Sequence, residues 1–402
     1  MDIDNRPKLS IWGVLKSMVG KDMTKMTLPA SLNEGTSLLQ RLAEDIEYSE
    51  LLDTAAKIDD STLRLVYISA FATSEYSSTT GRIAKPFNPL LGETFEYSRP
   101  DRNYRLFVEQ VSHRDPVSAC HADSAYWDYF GENAVETKFK GPSFDVKHLG
   151  KMFCTVRPQN GVIDKHGNKV ESELYSWKKV NTAVVGLMMG RPTVDNYGIM
   201  EINNHTTGDQ AIVDLKQRGW RASSAYQVSG IAKDRENNNQ WALGGHWNSK
   251  IFGKKIDSSD SSNPLSDVDT KSSSDPYSGS KFLVWQVNSR PNVPFNLTSF
   301  AVSLNGLDDC LKPWLPRTDT RLRPDQRAME NGDYDTACEE KNRVEQKQRE
   351  ARRRREENRQ SYKPQWFAKE KHPLTGDVYW KFQGQYWKCR RDGKLGDTPD
   401  IF

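Results

Sequence analysis

The chain has 402 residues, with 57 basic against 54 acidic side chains, 36% hydrophobic and 10% aromatic residues. That is enough apolar material for a real core, so wholesale disorder is excluded, and the near-balanced charge argues against a dedicated nucleic-acid binder. Its five cysteines, Cys120, Cys154, Cys310, Cys338 and Cys389, are scattered and never form Cys-x-x-Cys, which excludes a disulfide framework or zinc site and fits a reducing compartment.

In chain order, residues 1–35 are a mixed arm with a basic, Met-rich centre: Lys16, Met18, Lys21, Met23, Lys25 and Met26. Ile11, Trp12, Val14 and Leu15 cluster within it, so it reads either as an irregular packed arm or as an apolar flap whose lysines face an anionic surface. No apolar signal region opens the chain, and the run Ala183–Met189 is too short for a membrane span, so a soluble cytosolic protein is expected. The sequons at Asn204 and Asn296 then read as chance matches.

Leu38, Leu42 and Ile46 recur every four residues, predicting a helix over 36–56 capped by Thr36 or Ser37. A second helix is predicted over 61–78, with Ser61 as its cap and Leu65, Ile68 and Ala72 on one stripe. From about 93 to 300 the texture turns to strands. Tyr104-Leu106-Val108, Met152-Cys154-Val156 and Tyr226-Val228 alternate, and Asn160-Gly161, His166-Gly167, Thr207-Gly208-Asp209 and the run 234–239 read as turns. Many short strands with frequent turns predict a large antiparallel sheet, sandwich or barrel. Residues 254–281, rich in Ser, Asp, Pro and Gly, read as a long loop. A charged helix is predicted over 333–360, followed at 362–391 by an aromatic tail piece.

The tripeptide His113-Arg114-Asp115 matches the catalytic loop of a protein kinase. The magnesium-holding Asn expected five residues after the Asp is Cys120, the expected Leu is Pro116, and neither Asp-Phe-Gly nor Gly-x-Gly occurs. The kinase reading fails. A phosphoinositide phosphatase with Cys120 as nucleophile fails as well, because the Cys-x5-Arg position is Tyr126.

Other motifs carry the identity of that stretch. They are Lys85-Pro86-Phe87-Asn88-Pro89-Leu90-Leu91-Gly92-Glu93, Glu109-Gln110-Val111-Ser112-His113, Ser176-Trp177-Lys178-Lys179, Asn204 to Asp209, Arg218-Gly219-Trp220, and Leu315 to Asp325. Together they resemble the oxysterol-binding-protein-related lipid-transfer domains, in particular fungal homologues that carry the domain at the end of longer chains. The resemblance implies a mainly β fold with helical flanks (α+β). Its parts are an incomplete antiparallel β-barrel enclosing an apolar tunnel, an N-terminal lid and a helical C-terminal subdomain. The implied divisions are 1–35 lid, 36–92 helical segment, 93–310 barrel core and 311–402 C-terminal helical and aromatic subdomain, all within one lipid-binding domain. Ile11, Trp12, Leu15, Met18 and Leu28 become lid contacts.

By the same resemblance, Lys85 and Asn88 touch a phosphatidylinositol 4-phosphate head group at the tunnel mouth, and paired histidines hold its 4-phosphate. Here the pair is His113 and Arg114, and Asp115 stands where the family has proline. Arg114 offers a planar, permanently charged fork to phosphate, whereas Asp115 adds a repelling charge. Lys341, Glu345 and Arg349 match the late helix motif; the cations donate to phosphate and Glu345 accepts from inositol hydroxyls or orients the cations. On spacing alone those three are an i, i+4, i+8 ion-pair ladder, and Arg352 to Arg355 are a solvated or membrane-facing basic face. The implied function is non-enzymatic lipid transfer or sensing, without cofactor or metal. The second lipid is a sterol, phosphatidylserine or none. The implied location is cytoplasmic and peripheral, at endoplasmic reticulum contacts with the Golgi or plasma membrane. The competing reading is an arginine-rich nucleic-acid module built on 349–355, against which acidic residues interrupt the run.

Overall fold

The computed structural model describes residues 33–113, 115–140, 143–219, 224–256, 273–395 and 398–402. The expected lid contacts Ile11, Trp12, Leu15, Met18 and Leu28, the phosphate-holding Arg114, and most of the 254–281 loop lie outside these residues.

The chain enters through β1 (Asn33–Ser37) and α1 (Leu38–Ala43). Ser37 caps α1 in a capping box, accepting from the Gln40 N–H while the Gln40 side chain accepts from the Ser37 N–H. The single helix expected over 36–56 is broken by a 3-10 turn at Glu44–Ile46 before α2 (Glu50–Ala55). The break falls where Glu44 and Asp45 are drawn into buried ion pairs with Arg82 and Lys179.

Next comes α3 (Ser61–Ser74). Its cap is Asp60 rather than Ser61, because the Asp60 carboxylate accepts from the N–H groups of Thr62 and Leu63 at 2.9 and 3.0 Å. It is shorter than expected, since a 3-10 turn takes over at Glu75–Thr79. It is also buried on nearly every face rather than along one stripe. Phe71 meets Tyr129 and Trp177 edge-on, and Trp241 donates to Thr62 at 3.1 Å. Inside this packing, Ser69 and Thr73 satisfy their hydroxyls on carbonyls one turn back. Arg64 is fully buried against Glu173, which also accepts from Tyr175.

The strands follow: β2 (Lys85–Phe87), β3 (Thr94–Arg99), β4 (Tyr104–Ser112), β5 (Val117–Ser124), β6 (Trp127–Phe139), β7 (Ser143–His148), β8 (Lys151–Val156), the small hairpin β9 (Val162–Ile163) and β10 (Lys169–Val170), β11 (Glu173–Lys178), β12 (Asn181–Val185), β13 (Thr193–Asn204), β14 (Gln210–Leu215), β15 (Gln227–Lys233), β16 (Asn239–His246), β17 (Lys250–Lys255) and β18 (Phe282–Gln286). Tyr226, expected within a strand, adopts a positive φ just before β15 and meets Trp247 edge-on instead.

One 14-stranded antiparallel sheet runs β18-β17-β16-β15-β14-β13-β11-β8-β6-β5-β4-β3. The strands β7 and β12 pair with each other and bridge β6 to β13, so the sheet returns on itself as a partly closed ring. The long β6 makes this possible. Trp127–Gly131 pair with β8, and Val135–Phe139 swing over to β7. Gly131 sits at the parting with φ +152°, where a Cβ would lie 2.4 Å from the Lys151 carbonyl oxygen. The fold is thus mainly β with helical flanks.

After the sheet come α4 (Ser299–Ser303), α5 (Pro324–Glu330), the 24-residue α6 (Tyr334–Glu357), a hairpin of β19 (Phe367–Lys371) and β20 (Val378–Phe382), and α7 (Tyr386–Arg391). The aromatic tail piece is therefore a hairpin plus a helical turn. Trp366, Phe367 and Tyr386 cover Phe107 of β4, with the Phe107 and Tyr386 rings 3.8 Å apart. No helix among the described residues is long and apolar enough to cross a membrane.

Candidate functional site

The site is built where three distant pieces of chain meet: the turn after β2, the end of β4, and α6. Asp333 caps α6 by accepting from the Thr336 N–H at 3.1 Å. Ala337, Lys341 and Val344 form its buried stripe, and Gln348 continues the same face one turn later.

The turn after β2 is fixed from several sides. Phe87 packs with Met329 and Ala337, setting β2 beside the start of α6. Arg323 donates to the Asn88 carbonyl at 2.7 Å and to Glu93 at 3.0 Å, and pairs with Asp325 at 2.7 Å. Glu93 in turn accepts from the Leu90 N–H at 2.8 Å. The motif segments 85–93 and 315–325 are thus one buried assembly. Gly92, at φ +82°, passes so close to Tyr362 that a Cβ would lie 2.7 Å from its hydroxyl.

Gln348 ties the pieces together. Its Oε1 accepts from the Leu91 N–H at 2.9 Å, and its Nε2 lies 3.2 Å from His113 Nε2 at the end of β4. Because the amide oxygen is already taken by Leu91, the nitrogen faces His113 as a donor. His113 Nε2 is therefore the acceptor, and the neutral ring carries its proton on Nδ1. Burial first, then the charges of Arg352 and Arg355, hold His113 below its usual pKa, against a smaller opposing pull from Glu345.

Lys341 and Arg349 both reach Glu345, at 2.8 and 3.2 Å. Lys341 is buried and Arg349 largely exposed. Lys85 is half-buried in β2, in register with Asn33, and Asn88 is half-buried in the turn that follows. Of the expected head-group residues, Lys341, Glu345 and Arg349 are joined by ion pairs, and His113 joins the same helix through Gln348. Asp115 lies on the turn from β4 to β5.

Beside His113 a cavity of about 380 Å³ opens between β4, the last turns of α6 and the C-terminal hairpin. Its walls include His113, Arg349, Arg352, Arg355, Lys369 and Trp380. Gln348, Arg352, Arg355 and Lys369 were not marked by motif. Arg353 fits the expected solvated face, paired with Glu357 and mostly exposed. Arg355 departs from it, turning half-buried over the Tyr362 ring. The signal for Gln348 was there, seven residues after Lys341 on the buried stripe.

A partly closed antiparallel ring with a cationic recess at its edge offers the chemistry to receive an anionic or amphiphilic molecule. Residues 10–391 match the oxysterol-binding protein family, and the chain belongs to it; the family and its matched structures are lipid-binding proteins rather than enzymes. Over 405 residues the chain is 56% identical to Oxysterol-binding protein homolog 2 of Saccharomyces cerevisiae, covering 100% of this chain and 31% of that protein. It is 34% identical to human Oxysterol-binding protein-related protein 1 over 424 residues, covering 99% of this chain and 43% of the relative. The chain therefore spans less than half the length of these relatives. Among solved structures, the Osh1 ORD domain in complex with ergosterol matches with a TM-score of 0.93 at 54% identity, covering 100% of this chain and 93% of that one. The Osh3 ORD in complex with PI(4)P from Saccharomyces cerevisiae matches with a TM-score of 0.79 at 27% identity, covering 100% and 97%.

Proposed function

We propose that this domain carries phosphatidylinositol 4-phosphate, in exchange for a sterol, in a lidded apolar tunnel within the ring. Lys85, Asn88, His113, Lys341, Glu345 and Arg349 receive the head group, with Arg114 as the second phosphate-holding position and residues 1–35 as the lid. The observation that carries this reading is the hydrogen bond from Gln348 to His113, across 235 residues of sequence. It brings the β4 motif against the helix that bears Lys341, Glu345 and Arg349. Support for the two lipids comes from the ergosterol complex of the Osh1 domain and the PI(4)P complex of the Osh3 domain. The domain acts on the cytoplasmic side of membranes, peripherally, at endoplasmic reticulum contacts with the Golgi or plasma membrane.

Selectivity lies in the head group. Each buried methylene is worth about 0.8 kcal/mol, but a lipid tail gives up nearly the same on leaving a bilayer, so that contribution largely cancels. Charge-assisted hydrogen bonds at about 1.5–3 kcal/mol each do not cancel so neatly. Lys85→Ala and Arg349→Ala should each cut extraction of phosphatidylinositol 4-phosphate from liposomes at least about tenfold. Unchanged extraction by both variants rejects the assignment.

A further inference from the structure

We infer that the turn joining β12 to β13 is a docking prong for an anionic bilayer surface. Leu187 and Met189 enter the lipid interface, and Lys138, Lys140 and Arg191 meet its acidic head groups. The inference deepens the lipid-carrier reading and rests on it, because it names the surface by which a carrier meets its membrane.

The apolar run Ala183–Met189 is too short to span a bilayer, and the fold does not spend all of it on a core. Ala183 is buried in β12, whereas Met189 is 80% exposed, more than any other large hydrophobic side chain among the described residues. A large apolar side chain held in water at the end of a hairpin forgoes burial that a lipid interface supplies. The turn keeps its shape without a partner. Leu187–Met189 form one 3-10 turn between Gly186 and Gly190, both left-handed at φ +77° and +67°. The Gly186 carbonyl accepts from the N–H groups of Met189 and Arg191 at 3.1 and 3.2 Å, and the Leu187 carbonyl accepts from Gly190 at 3.3 Å. A preformed turn loses little chain entropy on docking.

Strand register places this turn relative to the cationic recess. Ser112, next to His113, pairs with Val117, and Val117 pairs with Ala134 of β6. From there β6 runs on through Val135 to Phe139, about 17 Å at ~3.4 Å per residue. It then turns into β7, and Val185 of β12 lies opposite Ser143. The β6–β7 and β12–β13 turns therefore stand side by side. Because β4, β6 and β12 all run in one direction, both turns lie at the same end of the sheet as His113 and project past it.

The collar around the tip is cationic. Lys138, Lys140 and Arg191 are exposed. The carboxylate among them is Asp145, which lies across the ladder from Lys138 and is taken by Lys140 at 2.5 Å. Apolar side chains ahead of a ring of cations match an anionic membrane, the former below the head groups and the latter among them. Shape points the same way. A protein partner needs about 800 Å² of complementary surface on each side, whereas a bilayer closes around a narrow tip without matching it.

The test floats the intact chain with vesicles of phosphatidylcholine and phosphatidylserine that contain neither phosphoinositide nor sterol, so flotation reports surface docking alone. Met189→Asp should weaken vesicle binding about tenfold or more. Met189→Trp keeps an interfacial side chain and should bind at least as tightly as the parent. Arg191→Gln should weaken binding about fivefold, a difference that narrows as salt is added. Thermal melts confirm that each variant is folded. The prong is overturned if the parent does not float, if Met189→Asp floats as the parent does, or if Met189→Trp loses as much as Met189→Asp. A parent dimer that Met189→Asp dissociates with flotation unchanged overturns it too, and gives the tip to a second copy of the chain. Calorimetry with soluble dioctanoyl phosphatidylinositol 4-phosphate tests the head-group set without a membrane. Failure of the parent to bind that lipid sinks the carrier reading, whereas a Met189→Asp variant that binds it within about twofold of the parent but no longer floats supports the prong.

Discussion

Replacing Gln348 with glutamate inverts the hydrogen-bond logic at His113. In the parent, the amide accepts from the Leu91 N–H at 2.9 Å and donates toward His113 Nε2 over 3.2 Å. A glutamate keeps the acceptor for Leu91 but replaces the donor with a carboxylate oxygen, which requires a proton on Nε2. An opposite charge at this range moves a pKa by about 1–3 units. The guanidinium groups of Arg352 and Arg355 oppose protonation, so a rise of about one unit is expected, worth about 1.4 kcal/mol. The sign follows from linkage. In the parent, His113 titrates below its ordinary 6.5, so its contribution to stability is complete above that value and is lost as pH falls through the depressed pKa. If the glutamate lifts the pKa above 6.5, the contribution is instead present at low pH and is lost as pH rises. Long-range nitrogen–proton NMR correlations of the histidine rings, followed from about pH 5 to about pH 8, report tautomer and pKa together. An Nε2–H tautomer in the parent, or an unmoved His113 titration in Gln348→Glu, would refute the reasoning.

Two further outcomes follow from the buried charges. Burial, then the neighbouring Asp45, pushes the Glu75 carboxyl up to about 8 from its ordinary 4.5. The native state therefore keeps a proton that the unfolded chain releases, and stability falls with rising pH across that window by about 1.4 kcal/mol per unit. Glu75→Gln removes this proton, so the stability lead of pH 5 over pH 8 in urea denaturation should shrink; an unchanged lead contradicts it. Arg64→Met strands the Glu173 carboxylate in the core, since both partners of this 2.5 Å pair are fully buried. It should cost about 3–5 kcal/mol, with part recovered when Glu173→Gln is added; a loss below about 1 kcal/mol would show that the pair is not buried as described.

The parts of this architecture that were legible in the sequence are those fixed by local chemistry. Ser37 announces α1 through its partner Gln40 three residues on. Paired Asn-Gly, His-Gly and Gly-Asp signals mark the turns of the sheet, and the four-residue spacing of Lys341, Glu345 and Arg349 puts them on one side of α6. The broken helix over 36–56 was hidden because its leucine spacing is helical throughout, while the interruption depends on Arg82 and Lys179 from elsewhere in the chain. Helix α3 shows an apolar stripe in sequence, yet its other faces are buried too, because the sheet surrounds it. The hairpin of β19 and β20 carried a readable signal, the turn His372-Pro373-Leu374-Thr375-Gly376-Asp377, which the abundance of aromatics masked. Arg352 and Arg355 sit in a run that also contains solvated arginines. Only the packing of Tyr362 and the end of β4 separates those that line the cavity from those that do not.

Glu109, within β4, accepts from the backbone N–H groups of Gln365 and Trp366 at 2.8 and 3.0 Å, across some 256 residues of sequence. One wall of the cavity is therefore supplied by a stretch synthesised long after the strand it docks against. A ribosome-bound chain that has completed the ring must still wait for Trp366 to emerge before the recess exists.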